Sequence, residues 1–185
     1  MERSGLPAFA VWITGLPASG KSTVAASLAK RIQDLGVDVA VLESDALRTL
    51  FSNIATYDDR DREYFYGSLA FAGQLLTEHG ISVIFDATAN RRSYRDRARR
   101  GIPRFIEVFV DCPLDVCARR DPKGIYRQAR EGQASHVPGV QTAYEAPKKP
   151  EVVIHGDQDD PDEAARRIIA VLASKGYLAR RSCNQ

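Results

Sequence analysis

Near the N-terminus the chain reads Gly15-Leu16-Pro17-Ala18-Ser19-Gly20-Lys21-Ser22, an unbroken GxxxxGKS followed by Thr23. Gly15 and Gly20 permit backbone angles that turn successive amides toward one point, and a helix starting beyond them favours the charge of a polyphosphate. Lys21 is suited to bridge β- and γ-phosphate oxygens, and the Ser22 hydroxyl to ligate Mg²⁺. Chance yields such a pattern in a chain of this size on the order of once per hundred sequences. The run therefore predicts binding of a nucleoside triphosphate.

This chemistry needs a strand before the loop and a helix after it. Phe9 to Thr14 supplies the strand, and from Lys21 the residues Val24, Leu28, Ile32 and Leu35 share a helix face that ends at Gly36. Further strand-like runs are Val37 to Glu43, Ile81 to Asp86, Phe105 to Asp111 and Val152 to His155. Helical periods fall between them, over 61–79 with Phe65, Leu69, Ala72 and Leu76 inward, and over 162–175 with Ala165, Ile168, Ile169 and Leu172 inward. The alternation predicts an α/β fold, a five-stranded parallel sheet flanked by helices, in a single domain spanning 1–185. Residues 121–150 are charged, poor in large aliphatics and interrupted by Gly124, Gly132, Pro138, Gly139, Pro147 and Pro150, the composition of an irregular lid. The tail 179–185 is expected to fray.

With 185 residues, 44% hydrophobic and 27% charged, the composition is that of a soluble globular protein. No apolar run can cross about 30 Å of hydrocarbon. Residues 1–7 lack the basic segment and apolar core of a secretory signal, so a cytoplasmic protein is expected. Cys112, Cys117 and Cys183 lack paired metal or redox spacing and read as bystander thiols. A net charge of +2 argues against indiscriminate coating of nucleic acid. Of 26 basic residues 20 are arginine, and the cluster Arg91, Arg92, Arg95, Arg97, Arg99, Arg100 and Arg104 suits either a solvated helix face or an anion-binding surface. The size and the lack of a guanine-reading NKxD motif argue against a mechanical ATPase or a GTPase. A small kinase with an acceptor site and a closing lid fits best.

Trp12 to Thr23, together with Arg119-Arg120-Asp121-Pro122-Lys123-Gly124-Ile125-Tyr126-Arg127-Gln128-Ala129-Arg130 and Tyr144-Glu145-Ala146-Pro147, resembles the adenylyl-sulfate kinase family, with its RRDPKGLYKKAR and YEAP segments. The likeness runs over roughly residues 9 to 178. It implies phosphorylation of the 3′-hydroxyl of adenosine 5′-phosphosulfate (APS) from ATP with Mg²⁺, as in sulfate assimilation, by a protein that can form homodimers. Glu43-Ser44-Asp45-Ala46-Leu47-Arg48 stands where the family has DGDxxR. By resemblance Asp45 lies near the acceptor hydroxyl as the base, while Arg48, Arg62 and Lys123 bind the acceptor and Arg119 stacks on the adenine of ATP; Asn90, which departs from the family's residue, is a further acceptor-binding candidate. Arg127 and Arg130 belong to the lid, and Asp86 is the reserve candidate for base or Mg²⁺ contact. Asp45 also suits capping of a helix over 46–50.

The sequence departs from the family on the acceptor side. Phe65 replaces an asparagine, Ala89 a serine, and Val137 the phenylalanine of an aromatic clamp. Phe85 to Asn90 resembles the DATN strand end of other small phosphate-loop kinases, so kinases of another nucleotide-linked or small hydroxyl metabolite, or of polynucleotide 5′-hydroxyls, remain alternatives. An ATP-responsive binding module is the non-enzymatic one.

Overall fold

Strand β1, Ala10–Thr14, is buried at every residue, and its alternate side chains feed two separate cores. Val11 and Ile13 point to one face of the sheet, where they meet Val24, Leu28 and Ile32 of helix α1 (Lys21–Asp34) and Ile168 and Leu172 of α7 (Pro161–Ser174). Ala10 and Trp12 point to the other, against Phe65, Tyr66 and Leu69 of α3 (Asp59–Glu78) and Tyr94 and Ala98 of α4 (Arg92–Gly101). This period of two, with both faces apolar, suits a strand covered by helices on either side. Trp12 stacks on Phe85 with ring centroids 4.4 Å apart and donates its indole N–H to the Ala87 carbonyl at 3.1 Å.

The computed structural model describes residues 7–51 and 58–179. The expectations for residues 1–6, Cys183 and the tail from 180 lie outside these. The remaining strands are β2 (Val39–Glu43), β3 (Ser82–Asp86), β4 (Phe105–Asp111) and β5 (Val152–His155). All pairings are parallel, in the order β2-β3-β1-β4-β5, with Ile13 opposite Asp86 and Glu43 opposite Asp86. The carboxyl ends of β1, β2 and β3 thus meet where the chain order reverses, the place at which open α/β sheets hold ligands.

The arginine-rich run forms α4, as its helix-face reading expects, and two helices go beyond the sequence expectation: α5 (Leu114–Arg120) and α6 (Ile125–Arg130). The last lies within 121–150, so that segment is partly helical. Its first turn is held by the Asp121 carboxylate, which accepts from the amides of Tyr126 at 3.2 Å and Arg127 at 2.9 Å. Helix α3 also buries a broader face than expected: Tyr66, Ala70 and Gly73 are buried, while Ala72 and Leu76 are only half-buried. Tyr66 takes this inward place because Tyr94 of α4 stacks on it at 4.9 Å. On α7, Ala164 is buried and Ile169 half-buried. The start of α7 follows the signals in its sequence, with Pro161 in its first turn and the Asp160 carboxylate accepting from the amides of Asp162 and Glu163, each at 3.0 Å.

Candidate active site

The loop 15–20 needs its glycines for two different reasons. Gly15 has φ +158°, and a Cβ there would lie 2.4 Å from the Val110 carbonyl oxygen, so a side chain would push β4 away. Gly20 has φ +104°, a backbone conformation that side chains rarely adopt, and it leads directly into α1. The Lys21 side chain folds back over the loop and donates to the Leu16 carbonyl at 2.8 Å. Burial lowers the Lys21 pKa, and the carboxylates of Asp86 and Asp45 oppose that shift.

A cavity of roughly 540 Å³ opens over this loop. Its walls include Pro17 to Thr23 from the loop and α1, Asp45, Asp86, Lys123 and Arg120. Ser22 is exposed and lines the same space as Asp86. A hydroxyl and a carboxylate are hard oxygen donors, a set that fits a Mg²⁺ ion carried on phosphate oxygens.

Asp45 sits in the first turn of α2 (Ser44–Arg48) with Glu43 before it, and it makes no capping bond. The capping expectation fails because α2 starts at Ser44 with Glu43 at its cap, which leaves Asp45 inside the first turn, where the Lys123 ammonium donates to it at 2.6 Å. That hydrogen bond raises the Lys123 pKa. Tyr126 ties the same segment to the phosphate loop, donating to the Pro17 carbonyl at 2.9 Å.

Arg119 is not brought to the cavity. Its side chain is 69% exposed and pairs with Asp115 one turn earlier on α5. Arg120, about 100° further round the helix, lines the cavity and donates to the Gly156 carbonyl at 2.9 Å. The two neighbours in sequence are separated by helical phase, which turns Arg120 to the cavity and Arg119 to solvent. Arg127 and Arg130 are exposed and are not among the cavity's lining residues.

Arg48, Arg62 and Asn90 form a second, buried group, with Arg48 one turn along α2 from Ser44 and Asp45, which line the cavity. Arg62 donates to the Asn90 side-chain oxygen at 2.9 Å and to the His136 carbonyl at 2.6 Å. Burial lowers the Arg62 pKa, and the neighbouring charge of Arg48 acts in the same direction. Asn90 in turn donates to the Ala143 carbonyl at 3.1 Å and accepts from the Glu145 amide at 2.7 Å.

The Tyr144 to Pro147 segment works as a clasp. The Tyr144 hydroxyl bonds Thr14 at 3.0 Å, and burial raises its pKa to about 12. The Glu145 carboxylate accepts from the Arg92 amide at 2.9 Å, closing the start of α4. Arg95, 1% exposed, donates to Glu107 at 2.6 Å, to the Glu145 carbonyl at 2.7 Å and to the Ala89 carbonyl. Arg91, Arg97 and Arg99 are likewise paired with Asp59, Glu63 and Glu151. Of the run only Arg95 is buried; Arg91, Arg92, Arg97 and Arg99 are partly exposed and ion-paired, and Arg100 is exposed, so the run is a solvated, ion-paired face with Arg95 as its internal link.

The Adenylylsulphate kinase family pattern matches residues 7–155. The chain belongs to the adenylylsulphate kinase family. The adenylyl-sulfate kinase of Synechococcus sp. (strain JA-2-3B'a(2-13)) is 39% identical over 178 residues, spanning 96% of this chain and 100% of that protein. Among solved structures, the Mycobacterium tuberculosis APS kinase CysC in complex with AMPPNP and APS superposes with a TM-score of 0.85 at 33% identity, covering 91% of this chain and 99% of that one. A hexameric APS kinase from Thiobacillus denitrificans superposes at 0.69 with 25% identity, covering 94% of this chain and 30% of that one. This adenylylsulphate kinase relative is thus an ATP-dependent kinase by family and fold. Among the described residues no helix is long and apolar enough to cross a membrane.

Proposed function

We propose that this enzyme transfers the γ-phosphate of ATP to the 3′-hydroxyl of adenosine 5′-phosphosulfate, giving 3′-phosphoadenosine 5′-phosphosulfate and ADP. The observation that carries the reading is the single cavity that gathers the phosphate loop, Lys21, Ser22, Asp45, Asp86 and Lys123. Gly15 to Thr23 cradle the triphosphate with their amides, and Lys21 exchanges the Leu16 carbonyl for phosphate oxygens. Asp45 accepts the acceptor proton as the hydroxyl oxygen bonds to phosphorus and the bond from phosphorus to the ADP oxygen breaks. Ser22 and Asp86 would hold Mg²⁺, which neutralises charge on the β- and γ-oxygens. Arg120 takes the adenine-side position in place of Arg119, and the buried pair Arg48 and Arg62 meets the anionic end of the acceptor.

Residues 121–150 act as the lid, hinged on Asp121 and carrying Lys123, Arg127 and Arg130. A cytoplasmic setting is included in the proposal, supported by the need for ATP and by the free thiols of Cys112 and Cys117. A homodimer is supported by Tyr64, Phe71 and Leu75 on the outer face of α3, which are 65%, 65% and 46% exposed. The test is a coupled assay of ADP release with APS as acceptor, beside 5′-AMP and gluconate. APS-dependent turnover that Lys21→Ala abolishes is expected; turnover of gluconate but not of APS would refute the acceptor.

A further inference from the structure

Arg48 is held in an unusual way for a side chain expected to meet an anion. Its guanidinium carbon lies 3.9 Å from the centroid of the Phe65 ring, and its Nη1 donates to the Asp61 carboxylate at 3.1 Å. Arg48 is 7% exposed and Phe65 6%. Asp61 and Phe65 are four residues apart on α3, so they rise one above the other on a single helix face. A carboxylate bonds a guanidinium at its edge, whereas an aromatic ring contacts its flat face. Together they fix both the edge and the plane of the Arg48 group. Tyr66 adds a second ring at 5.7 Å and is itself pinned, since its hydroxyl accepts from the Ala89 amide at 3.2 Å. One turn away on the same helix stands Arg62, also buried.

We propose that Phe65 is a positioning residue for the acceptor: its ring face sets the plane of the Arg48 guanidinium, so that the acidic group of a nucleotide-linked acceptor meets a donor already in place. The inference rests on the proposed acceptor reading. A long, flexible arginine must otherwise be ordered by its ligand, and that cost appears in acceptor affinity and not in the chemical step. Phe65 touches no reacting atom; it acts through Arg48.

The experiment is steady-state kinetics with APS and ATP on the full chain. Phe65→Leu removes the ring and keeps an apolar side chain; its KM for APS is expected to rise about 5- to 10-fold. Its kcat and its KM for ATP are expected to stay within about twofold of the parent, as is every constant of Phe65→Tyr, which keeps the ring. The decisive comparison adds Phe65→Leu to Arg48→Gln, where the KM increment should vanish because no guanidinium is left to orient. An unchanged KM for APS in Phe65→Leu, or an equal increment in both backgrounds, would overturn the proposal and make Phe65 a packing residue only.

Two further readings keep the test decisive. If Phe65→Leu does not fold, Phe65→Met serves as the second ring-free variant. The Arg48 side-chain N–H resonance of the parent, assigned by its loss in Arg48→Gln, should be displaced upfield by the ring, and an undisplaced resonance refutes the geometry without any variant at position 65. Parent enzyme that shows the displaced resonance yet turns over gluconate and not APS refutes the acceptor reading. A displaced resonance and APS turnover with no change of KM in Phe65→Leu refutes the positioning role alone.

Discussion

Replacing Arg95 by methionine should destabilise the protein by about 3 kcal/mol. The side chain is buried and serves Glu107 and the carbonyls of Ala89 and Glu145. Breaking one half of a buried ion pair commonly costs about 3–5 kcal/mol, because the surviving charge is stranded. Here Glu107 keeps Arg99 at 3.5 Å, which lowers the cost, while two carbonyls losing a charged donor raise it. For a chain of this size about 3 kcal/mol lowers the midpoint of thermal unfolding by about 6–12 °C. Urea unfolding should show a lower midpoint at unchanged slope. Adding Glu107→Gln removes the stranded charge and should restore about 1–2 kcal/mol. A loss below about 1 kcal/mol in the single variant, or no recovery in the double, would refute the claim that Arg95 is wired through Glu107.

Arg120→Ala should raise the KM for ATP about 3- to 10-fold while Arg119→Ala changes it by less than about twofold; initial rates at fixed APS decide, and the reverse order would restore Arg119 to the adenine. Acid unfolding should depend on Asp162, whose pKa is lowered to about 2 by Arg31 and Ser27 of α1. A carboxyl lowered from 3.8 in the fold stabilises fully above its unfolded value and loses that contribution as pH falls toward 2. The Asp162→Asn variant should therefore show a flatter fall of stability between these values, read as unfolding midpoint against pH; an unchanged slope counts against the pair.

The strands could be read from the sequence because a covered parallel strand announces itself as a short apolar run, and all five stand within two residues of their expected starts. Helix α4 was legible as an arginine-rich face and not by hydrophobic period. Its inward residues are Tyr94, Arg95 and Ala98, and the middle one is satisfied by an ion pair and not by apolar contact, so a search for hydrophobic period passes over it. The phosphate loop was legible as a motif, since its geometry is local. Arg119 and Arg120 were not separable, because the choice depends on the rotational phase of α5. The Arg48 and Phe65 contact joins α2 to α3 across 17 positions of sequence, a distance over which no periodicity carries information.

The Lys123 and Asp45 pair spans the cavity mouth, with side chains 54% and 60% exposed. Exposed pairs of this kind are worth at most about 1 kcal/mol, which at room temperature corresponds to a population ratio of about five to one. The contact therefore biases the mouth without locking it. In the proposed mechanism an incoming phosphate would capture the ammonium at little cost, and the same exchange would free the Asp45 carboxylate to take a proton. Phosphate arrival and exposure of the proposed base would then be one event, coupled through a single ammonium group.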